Sequence, residues 1–274
     1  MKRFLISALI LLLLAGCKNT NVTTDDSLKS FFDSAAVTGC FGLFNNSQNN
    51  FIIYNLPRYR DSSFTPASTF KVVISLIGIQ TGRISDENMV IKWDSVKRRP
   101  EWDKDLSMKE AFAVSSGPYY QEVARRIGKE RMEYWMDTVN YGAGPKDTAF
   151  RIRTAIDSFW LDNTLKITPD EELGLVKMLY FDQLPFFKTY QDKVKKAMLF
   201  ENTTMYRLAY KTGWGRKENG DHLAWLVGWV EENNHPYFFV LNFESPDANA
   251  DIPSIRMKIL KGILTKLNFF KGKM

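Results

Sequence analysis

The sequence predicts an α/β (α+β) fold, in which an antiparallel sheet is flanked by helices and carries an all-helical subdomain. Runs with strand character lie near both ends of the chain, whereas residues from about 85 to 200 show helical periodicity and few strand signals. The chain has 274 residues and is 45% hydrophobic, enough for one sizeable core or two interleaved subdomains that share a cleft. We expect one domain over residues 28–274, with the helical subdomain inserted in its α/β part.

The elements follow from local patterns. An amphipathic helix is expected first, and then a hairpin whose strands flank the Asn-rich residues 45–50. The hairpin is followed by the helices of the middle region, by three strands and by a helix that packs across the sheet. In chain order these segments are 27–36, 39–44, 51–55, 106–114, 119–127, 129–139, 169–181, 210–213, 222–231, 237–243 and 255–267.

Residues 1–17 form a separate module with the pattern of an export signal. Lys2 and Arg3 precede an apolar run, residues 4–14, that is too short to span a bilayer comfortably. The run ends in Leu-Ala-Gly-Cys, which resembles a bacterial lipobox, so Cys17 is expected to carry lipid as the first mature residue. An ordinary signal peptide with an unmodified Cys17 remains the alternative. The polar residues 18–27 are expected to form a flexible tether.

These patterns predict a periplasmic lipoprotein that a bacterium exports and anchors to a membrane through Cys17. The only other cysteine is Cys40, so a lipidated Cys17 leaves no disulfide. The formal charge of +6 is scattered among acidic residues without a basic face, and we expect no nucleic-acid partner. A modest positive field suits an anionic small molecule.

The residues most informative about function are Ser68 and Lys71, at the start of an almost wholly apolar segment that runs to Ile79. If a helix begins at about Ser68, positions i and i+3 share one face with Cβ atoms roughly 5–6 Å apart, so the hydroxyl and the amine can share a hydrogen bond. Apolar neighbours lower the pKa of a lysine, which suits Lys71 to act as a base. The pair predicts covalent catalysis, although Ser-x-x-Lys also occurs by chance.

Further motifs follow in order along the chain. They are Ser115-Ser116-Gly117, Tyr141-Gly142-Ala143, Phe159-Trp160-Leu161 and Lys211-Thr212-Gly213. Ser-x-x-Lys, a second Ser and Lys-Thr-Gly in this order are the signature of penicillin-binding proteins and serine β-lactamases. From about residue 31 to residue 264 the chain closely resembles a class D (oxacillinase-type) serine β-lactamase. The resemblance implies a serine β-lactamase/penicillin-binding-protein-like fold and hydrolysis of β-lactam antibiotics, which confers resistance.

The resemblance also implies catalytic roles. Ser68 attacks the β-lactam carbonyl and forms an acyl-enzyme, and Lys71, converted by CO2 to a carbamate, is the general base of its hydrolysis. Trp160 donates its indole N–H to the carbamate, and Ser115 relays a proton to the departing ring nitrogen. The backbone N–H groups of Ser68 and Trp214 form the oxyanion hole. No cofactor beyond the carbamate is expected.

A second set of residues is implied to bind the substrate carboxylate. Lys211 and Thr212 meet it, Gly213 lets a strand approach the ligand without a Cβ in the way, and Arg256 adds a planar guanidinium. From the residues alone, other interpretations stay open. Trp160 also suits a core aromatic, Ser115 a helix cap and Arg256 a solvated helix residue.

Two positions depart from the family pattern. Gly117 stands where the family has Val, and Ala143 stands where it has Asn. We expect the missing Val side chain to remove apolar cover near Lys71 and to admit water. One alternative function is a penicillin-binding sensor or transpeptidase, which shares the acylation machinery, and the other, suggested by these two departures, is an inactive β-lactam-binding lipoprotein. His222 and His235, the only histidines, lie outside every motif, and we expect neither a His-based triad nor a metal site.

Overall fold

The computed structural model of the protein describes residues 21–142 and 148–270. Its strands are β1 (Val22–Thr24), β2 (Thr38–Asn45), β3 (Asn50–Tyr54), β4 (Val90–Ile91), β5 (Leu106–Ser107), β6 (Leu199–Asn202), β7 (Tyr206–Arg216), β8 (His222–Glu232) and β9 (His235–Ser245). Seven of them form one sheet in the order β1-β3-β2-β9-β8-β7-β6, and β4 and β5 form a separate ribbon. Neighbouring strands of the large sheet are antiparallel, except that β1 runs parallel to β3.

Helices cover both faces of this sheet. They are α1 (Lys29–Asp33), α2 (Leu56–Asp61), α3 (Lys71–Gln80), α4 (Met108–Ala113), α5 (Gly117–Ile127), α6 (Lys129–Val139), α7 (Pro169–Tyr180), α8 (Lys188–Met198) and α9 (Ile252–Lys266). Short 3-10 turns precede α1 at Asp26–Leu28 and α3 at Ala67–Phe70.

Strand β8 separates two hydrophobic cores because it lies inside the sheet and both of its faces are covered. Trp225 and Val227 point into the core that contains α3, whereas Leu226 and Val230 point into the core that contains α9. This alternation is the period of two that a strand imposes on its side chains.

Helix α3 is the buried axis that its apolar sequence predicts. Every residue from Lys71 to Ile79 is buried, including the polar Ser75. Because no side of α3 faces solvent, its sequence does not alternate apolar and polar residues at helical spacing, which explains the nearly continuous apolar run.

The other predicted elements are largely confirmed. The first helix, the β2–β3 hairpin, helices α4 to α7, strands β7 to β9 and the C-terminal α9 all form, with ends that shift by a few residues. Helix α3 begins at Lys71 after the 3-10 turn, slightly later than the start predicted at Ser68.

The prediction of a flexible tether is wrong for residues 22–27. Val22 packs against the core, and β1 adds a parallel edge strand to β3. Asp25 then accepts a hydrogen bond from the backbone N–H of Ser27 at 3.0 Å and caps the following turn. Three residues of backbone pairing leave too short a pattern to predict from composition. The predicted signal, Cys17 and residues 18–20 lie outside the described residues.

The middle region is not all-helical, because β4 and β5 pair within it. Two-residue strands leave no readable period of two. Helix α7, at the end of the same region, packs on β8 and β9 of the main sheet instead of standing apart from it. Across residues 21–142 and 148–270, none of the helices combines the length and the apolarity that crossing a bilayer requires.

The close packing of β8 against β7 predicts a large effect at Gly228. A Cβ added there would overlap the backbone carbonyl oxygen of Ala209, which cannot rotate away. Gly228→Ala should therefore lower the free energy of unfolding by roughly 1–3 kcal/mol or more, measured by urea denaturation.

Gly174, in α7, is the matched control because an added Cβ would meet nothing within 4 Å. Gly174→Ala should raise the free energy of unfolding by up to about 1 kcal/mol through helix propensity. Equal effects of the two alanines would contradict the described packing.

Candidate active site

Ser68 lies on a strained turn between the sheet and α3. The preceding Ala67 has a φ of +51°, a left-handed conformation that costs a non-glycine residue energy and is held only where the surroundings enforce it. Here the backbone N–H of Ala67 donates to the carbonyl of Trp160 at 3.1 Å, and the indole of Trp225 donates to the carbonyl of Thr65 at 2.9 Å. The turn is thus fixed from both sides.

The amine of Lys71 lies 2.7 Å from the hydroxyl oxygen of Ser68. Lys71 is only 2% exposed, and this burial lowers the pKa of its amine to about 7. A substantial fraction of the amine is therefore neutral near neutral pH, and a neutral amine can accept the proton of the neighbouring hydroxyl.

A second serine and lysine pair faces the same site. The amine of Lys211, on β7, donates to the hydroxyl of Ser115 at 3.0 Å and to the carbonyl of Thr212 at 3.2 Å. Burial, with smaller effects from the charges of Lys71 and Arg256, holds the pKa of Lys211 well below its usual range. Burial and the mutual repulsion of Lys71 and Lys211 disfavour a state in which both amines are charged.

Ser115 is not the cap of α5. Its φ is +55°, and the N-cap is Ser116, whose hydroxyl accepts from the backbone N–H of Tyr119 at 3.4 Å. The cap interpretation of Ser115 is therefore wrong, and its hydroxyl is free to contact Lys211.

Strand β7 lies against the turn that carries Ser68. A Cβ on Gly213 would lie 2.9 Å from the carbonyl oxygen of Pro66, so only glycine permits this approach. The guanidinium of Arg256, on α9, donates to the carbonyl of Gly213 at 3.1 Å. Arg256 is only 8% exposed, which rules out a solvated helix residue, and burial lowers its pKa to about 10.

These elements enclose a cleft of about 740 Å³. The sequence-predicted residues that line it are Ser68, Lys71, Ser115, Trp160, Thr212, Trp214 and Arg256. Lys211 and Gly213 adjoin the cleft through Ser115 and Arg256. Trp160 is 1% exposed and stacks on Phe70 at 5.4 Å between ring centroids, so it belongs both to the core and to the cleft wall.

The expectation that Gly117 admits water to Lys71 is wrong. Lys71 stays buried, and a Cβ added to Gly117 would lie 3.4 Å from the ring of Trp102. The Trp102 indole, held by a 3.0 Å hydrogen bond to the carbonyl of Val114, covers the surface of Gly117. The Trp102 ring thus occupies the place of the missing side chain, a contact that only the tertiary fold could show. Ala143 lies outside the described residues.

His222 also lines the cleft, although it belongs to no sequence motif. The indole N–H of Trp214 donates to Nδ1 of His222 at 3.0 Å. Because Nδ1 accepts, the ring proton is on Nε2, which lies 3.1 Å from the carbonyl of Ala248 and donates to it. This histidine orients Trp214 and is not part of a triad. The β7–β8 pairing that brings the two residues together leaves no local motif.

The cleft also has a cationic rim. Arg98, Arg99 and Arg216 line it, and the guanidinium of Arg99 lies 4.6 Å from the centre of the Trp102 ring. Two of these arginines belong to a Lys-Arg-Arg run at residues 97–99, and only the folded chain shows that this run faces the cleft. Among the described residues, no group of three or more His, Cys, Asp or Glu side chains is arranged to hold a metal ion.

Comparison with known proteins agrees with this geometry. The family model of the penicillin binding protein transpeptidase domain matches residues 39–265. Beta-lactamase OXA-5 of Pseudomonas aeruginosa is 36% identical over 244 residues, which cover 88% of this chain and 86% of that protein.

Solved structures give the same result. FUS-1 (OXA-85), a class D beta-lactamase from Fusobacterium nucleatum subsp. polymorphum, aligns with a TM-score of 0.83 at 31% identity and covers 91% of this chain and 100% of its own. The C-terminal domain of the Bacillus licheniformis BlaR penicillin-receptor aligns with a TM-score of 0.83 at 28% identity and covers 92% and 98%. With its matched family model, its relatives and its paired Ser68 and Lys71, the chain belongs to the penicillin-binding-protein transpeptidase family and, within it, to the class D β-lactamases.

Proposed function

We propose that this protein hydrolyses β-lactams through an acyl-enzyme on Ser68 and thereby confers resistance. The observation that carries the proposal is the contact of the Ser68 hydroxyl with a lysine amine that is 2% exposed and has a pKa of about 7. Buried amines of this kind are bases at neutral pH, whereas an exposed lysine is protonated and inert as a base.

Acylation then proceeds with a balanced movement of protons. The Oγ of Ser68 bonds to the lactam carbonyl carbon and loses its proton to the base at Lys71. The ring C–N bond breaks, and the nitrogen takes a proton from Ser115, which Lys211 resupplies across the 3.0 Å contact. The close approach of Gly213 to Pro66 supports an oxyanion hole formed by the backbone N–H groups of Ser68 and Trp214.

Deacylation needs a base that removes a proton from water. CO2 bound to Lys71 as a carbamate would supply a carboxylate for this purpose. The residues fit such a group, because only a neutral amine adds CO2 and the burial of Lys71 keeps part of it neutral. Trp160, in the same cleft wall, can donate its indole N–H toward this position and limit access of bulk solvent.

The substrate carboxylate is held by the cationic part of the cleft. Thr212, Arg256 and Lys211 surround the β7 side, and Arg216 lies further along the same strand. A planar guanidinium that burial has already stripped of water binds a carboxylate more strongly than an exposed one.

A penicillin sensor is the second candidate, favoured by the likeness to the penicillin-receptor domain. A sensor and a hydrolase share acylation and differ in deacylation. Stopped-flow mixing with a chromogenic cephalosporin separates them, because a hydrolase shows continued turnover. A burst of one equivalent without a steady state would support the sensor.

We also propose that the protein is exported to the periplasm and anchored there through a lipid on Cys17. The support is the basic start, short apolar run and Leu-Ala-Gly-Cys ending of the first 17 residues. Stable attachment requires that the lipid carry more than one acyl chain, because a single chain binds a membrane only weakly and reversibly.

The lipid anchor predicts that Cys17→Ser abolishes incorporation of radiolabelled palmitate into the full chain expressed in a bacterium. Cys40→Ser is the matched control, because Cys40 is buried and its thiol pKa is raised to about 12 by burial. Equal labelling of the wild type and Cys17→Ser would contradict the anchor and favour an ordinary signal peptide.

The role of Lys71 predicts that Lys71→Ala abolishes steady-state hydrolysis, with a loss in kcat of about 100-fold or more. Bicarbonate should stimulate the wild type and leave Lys71→Ala unchanged. Mass spectrometry of the variant after exposure to penicillin reports any trapped acyl group on Ser68. Full turnover by Lys71→Ala would overturn the assignment of the base.

The cover that Trp102 provides predicts a compensating pair. Trp102→Ala should expose Lys71 and lower kcat/KM by roughly tenfold in ambient CO2, with partial rescue by added bicarbonate. Adding Gly117→Val to Trp102→Ala should restore cover, whereas Gly117→Val alone should push the indole aside and lower activity. Strictly additive effects of the two changes would contradict the substitution of one side chain for the other.

A further inference from the structure

One buried carboxyl takes no part in the reaction described above. Glu172, on α7, is 0% exposed, and within the described residues it forms no ion pair. Its Oε1 lies 2.5 Å from the hydroxyl oxygen of Thr69 and 2.9 Å from that of Tyr141. Its Oε2 is buried and has no hydrogen-bond partner among residues 21–142 and 148–270.

The hydrogen atoms of this cluster can be counted. The Thr69 hydroxyl has one hydrogen and two acceptors within reach, the carbonyl of Pro66 at 2.8 Å and Oε1 of Glu172 at 2.5 Å. If Glu172 is ionised, the Thr69 hydroxyl can donate either to the Pro66 carbonyl or to Oε1 of Glu172, but not to both. The buried Oε2 of Glu172 then shares a negative charge and has no partner among the described residues. Such a group costs more than a neutral one.

If Glu172 is protonated, every hydrogen in the cluster has an acceptor. Its Oε1–H donates to Thr69, Thr69 donates to the carbonyl of Pro66, and the Tyr141 hydroxyl donates to Oε1. Each hydrogen then has one acceptor, and the oxygen left without a partner is an uncharged carbonyl oxygen.

The electrostatics of the surroundings agree with this count. Burial raises the pKa of Glu172 to about 7, and the charge of Glu171 acts in the same direction. The hydrogen bonds that Thr69 and Tyr141 can donate to the ionised carboxylate act in the opposite direction. Burial and Glu172 itself hold the pKa of Tyr141 well above its usual value. The titratable groups on the other elements around α7 have partners of their own: Tyr59 with Asp170, Tyr180 and Arg207 with Glu231, Lys195 with Asp182, and the buried Cys40 beside Arg58.

The cluster ends at the catalytic turn. Pro66 and Thr69 flank Ser68, and the carbonyl of Pro66 is the atom against which Gly213 of β7 lies. The relay from Glu172 through Thr69 to Pro66 therefore fixes the spacing between the nucleophile and β7, on which the oxyanion hole depends.

We propose that Glu172 is a positioning residue, a neutral carboxylic acid whose donation to Thr69 holds the Ser68 turn against β7. The proposal rests on the proposed hydrolysis for its kinetic readout and on the fold alone for its stability readout. Ionisation of Glu172 removes the donated hydrogen and loosens the turn.

The direction of the pH dependence follows from the shift. The folded-state pKa of Glu172, about 7, lies above the ordinary value of 4.5. Its stabilising contribution is therefore complete below about pH 4.5 and is lost as pH rises through about 7. Ionisation of Glu172 should lower activity on the alkaline side of the pH profile. Protonation of the Lys71 amine should lower activity on the acid side.

The test compares Glu172→Gln, Glu172→Leu and Thr69→Val with the wild type. With its nitrogen at the position of Oε1, the Gln amide can donate one hydrogen to Thr69 and the other to the hydroxyl oxygen of Tyr141, and it never ionises. Its kcat/KM at pH 7 should therefore stay within about tenfold of the wild type. Its alkaline limb should move up by a pH unit or more, while the acid limb stays in place. Glu172→Leu and Thr69→Val lose the donated hydrogen and should lose about ten- to a hundredfold in kcat/KM below about pH 7, where Glu172 of the wild type is neutral, and less at higher pH.

Glu171→Gln is the matched control, because it removes the neighbouring charge while its side chain lies on the helix cap at Thr168. Its alkaline limb should move slightly to lower pH, opposite to that of Glu172→Gln, because the charge of Glu171 helps to raise the pKa of Glu172. An unchanged alkaline limb in Glu172→Gln, or an equal shift in Glu171→Gln, would overturn the proposal.

Urea unfolding gives a readout that does not depend on hydrolysis. Between pH 4.5 and 7 the folded-to-unfolded ratio of the wild type should fall relative to that of Glu172→Gln, by up to about tenfold per pH unit. Parallel curves for the two proteins would reject a neutral Glu172 even if the protein hydrolyses β-lactams. If the two stability curves diverge but the protein does not turn over β-lactams, the role of Glu172 stands and the proposed function is rejected.

Discussion

The contact between the Ser68 hydroxyl and the buried amine of Lys71 is the interaction on which the rest of the site depends. At 2.7 Å the two atoms can exchange a proton, but only if the amine is neutral. Desolvation alone lowers the pKa of Lys71 to about 7, since no neighbouring charge is needed to explain the shift. Burial thus gives a residue that is ordinarily protonated the properties of a base.

The fold produces this desolvation by giving α3 no solvent face. Both its apolar sequence and the helices around it remove water from Lys71, and Trp102 covers the side where Gly117 leaves a gap. Strand β7 then brings Lys211 and Gly213 to the same turn. Because the sheet, α3 and α9 meet there, small changes in the packing of any of them move the distances that acylation requires.

Much of this could be predicted from the sequence, because motifs such as Ser68 with Lys71 are local and α3 is almost uniformly apolar. The contribution of residues such as Trp102, His222 and Glu172 could not. Each acts through a side-chain contact that belongs to no motif, and a tryptophan over a glycine or a glutamate beside a threonine leaves no periodic signal. The short strands β1, β4 and β5 could not be predicted for a related reason, since backbone pairing of two or three residues depends on tertiary context.

The proposal that the buried and partly neutral Lys71 takes up CO2 is tested most directly by carbon-13 NMR of the protein in labelled bicarbonate. The account predicts one carbamate signal in the wild type, which weakens as pH falls below about 7 and is absent from Lys71→Ala. A folded wild-type protein that turns over β-lactams and shows no such signal would contradict it.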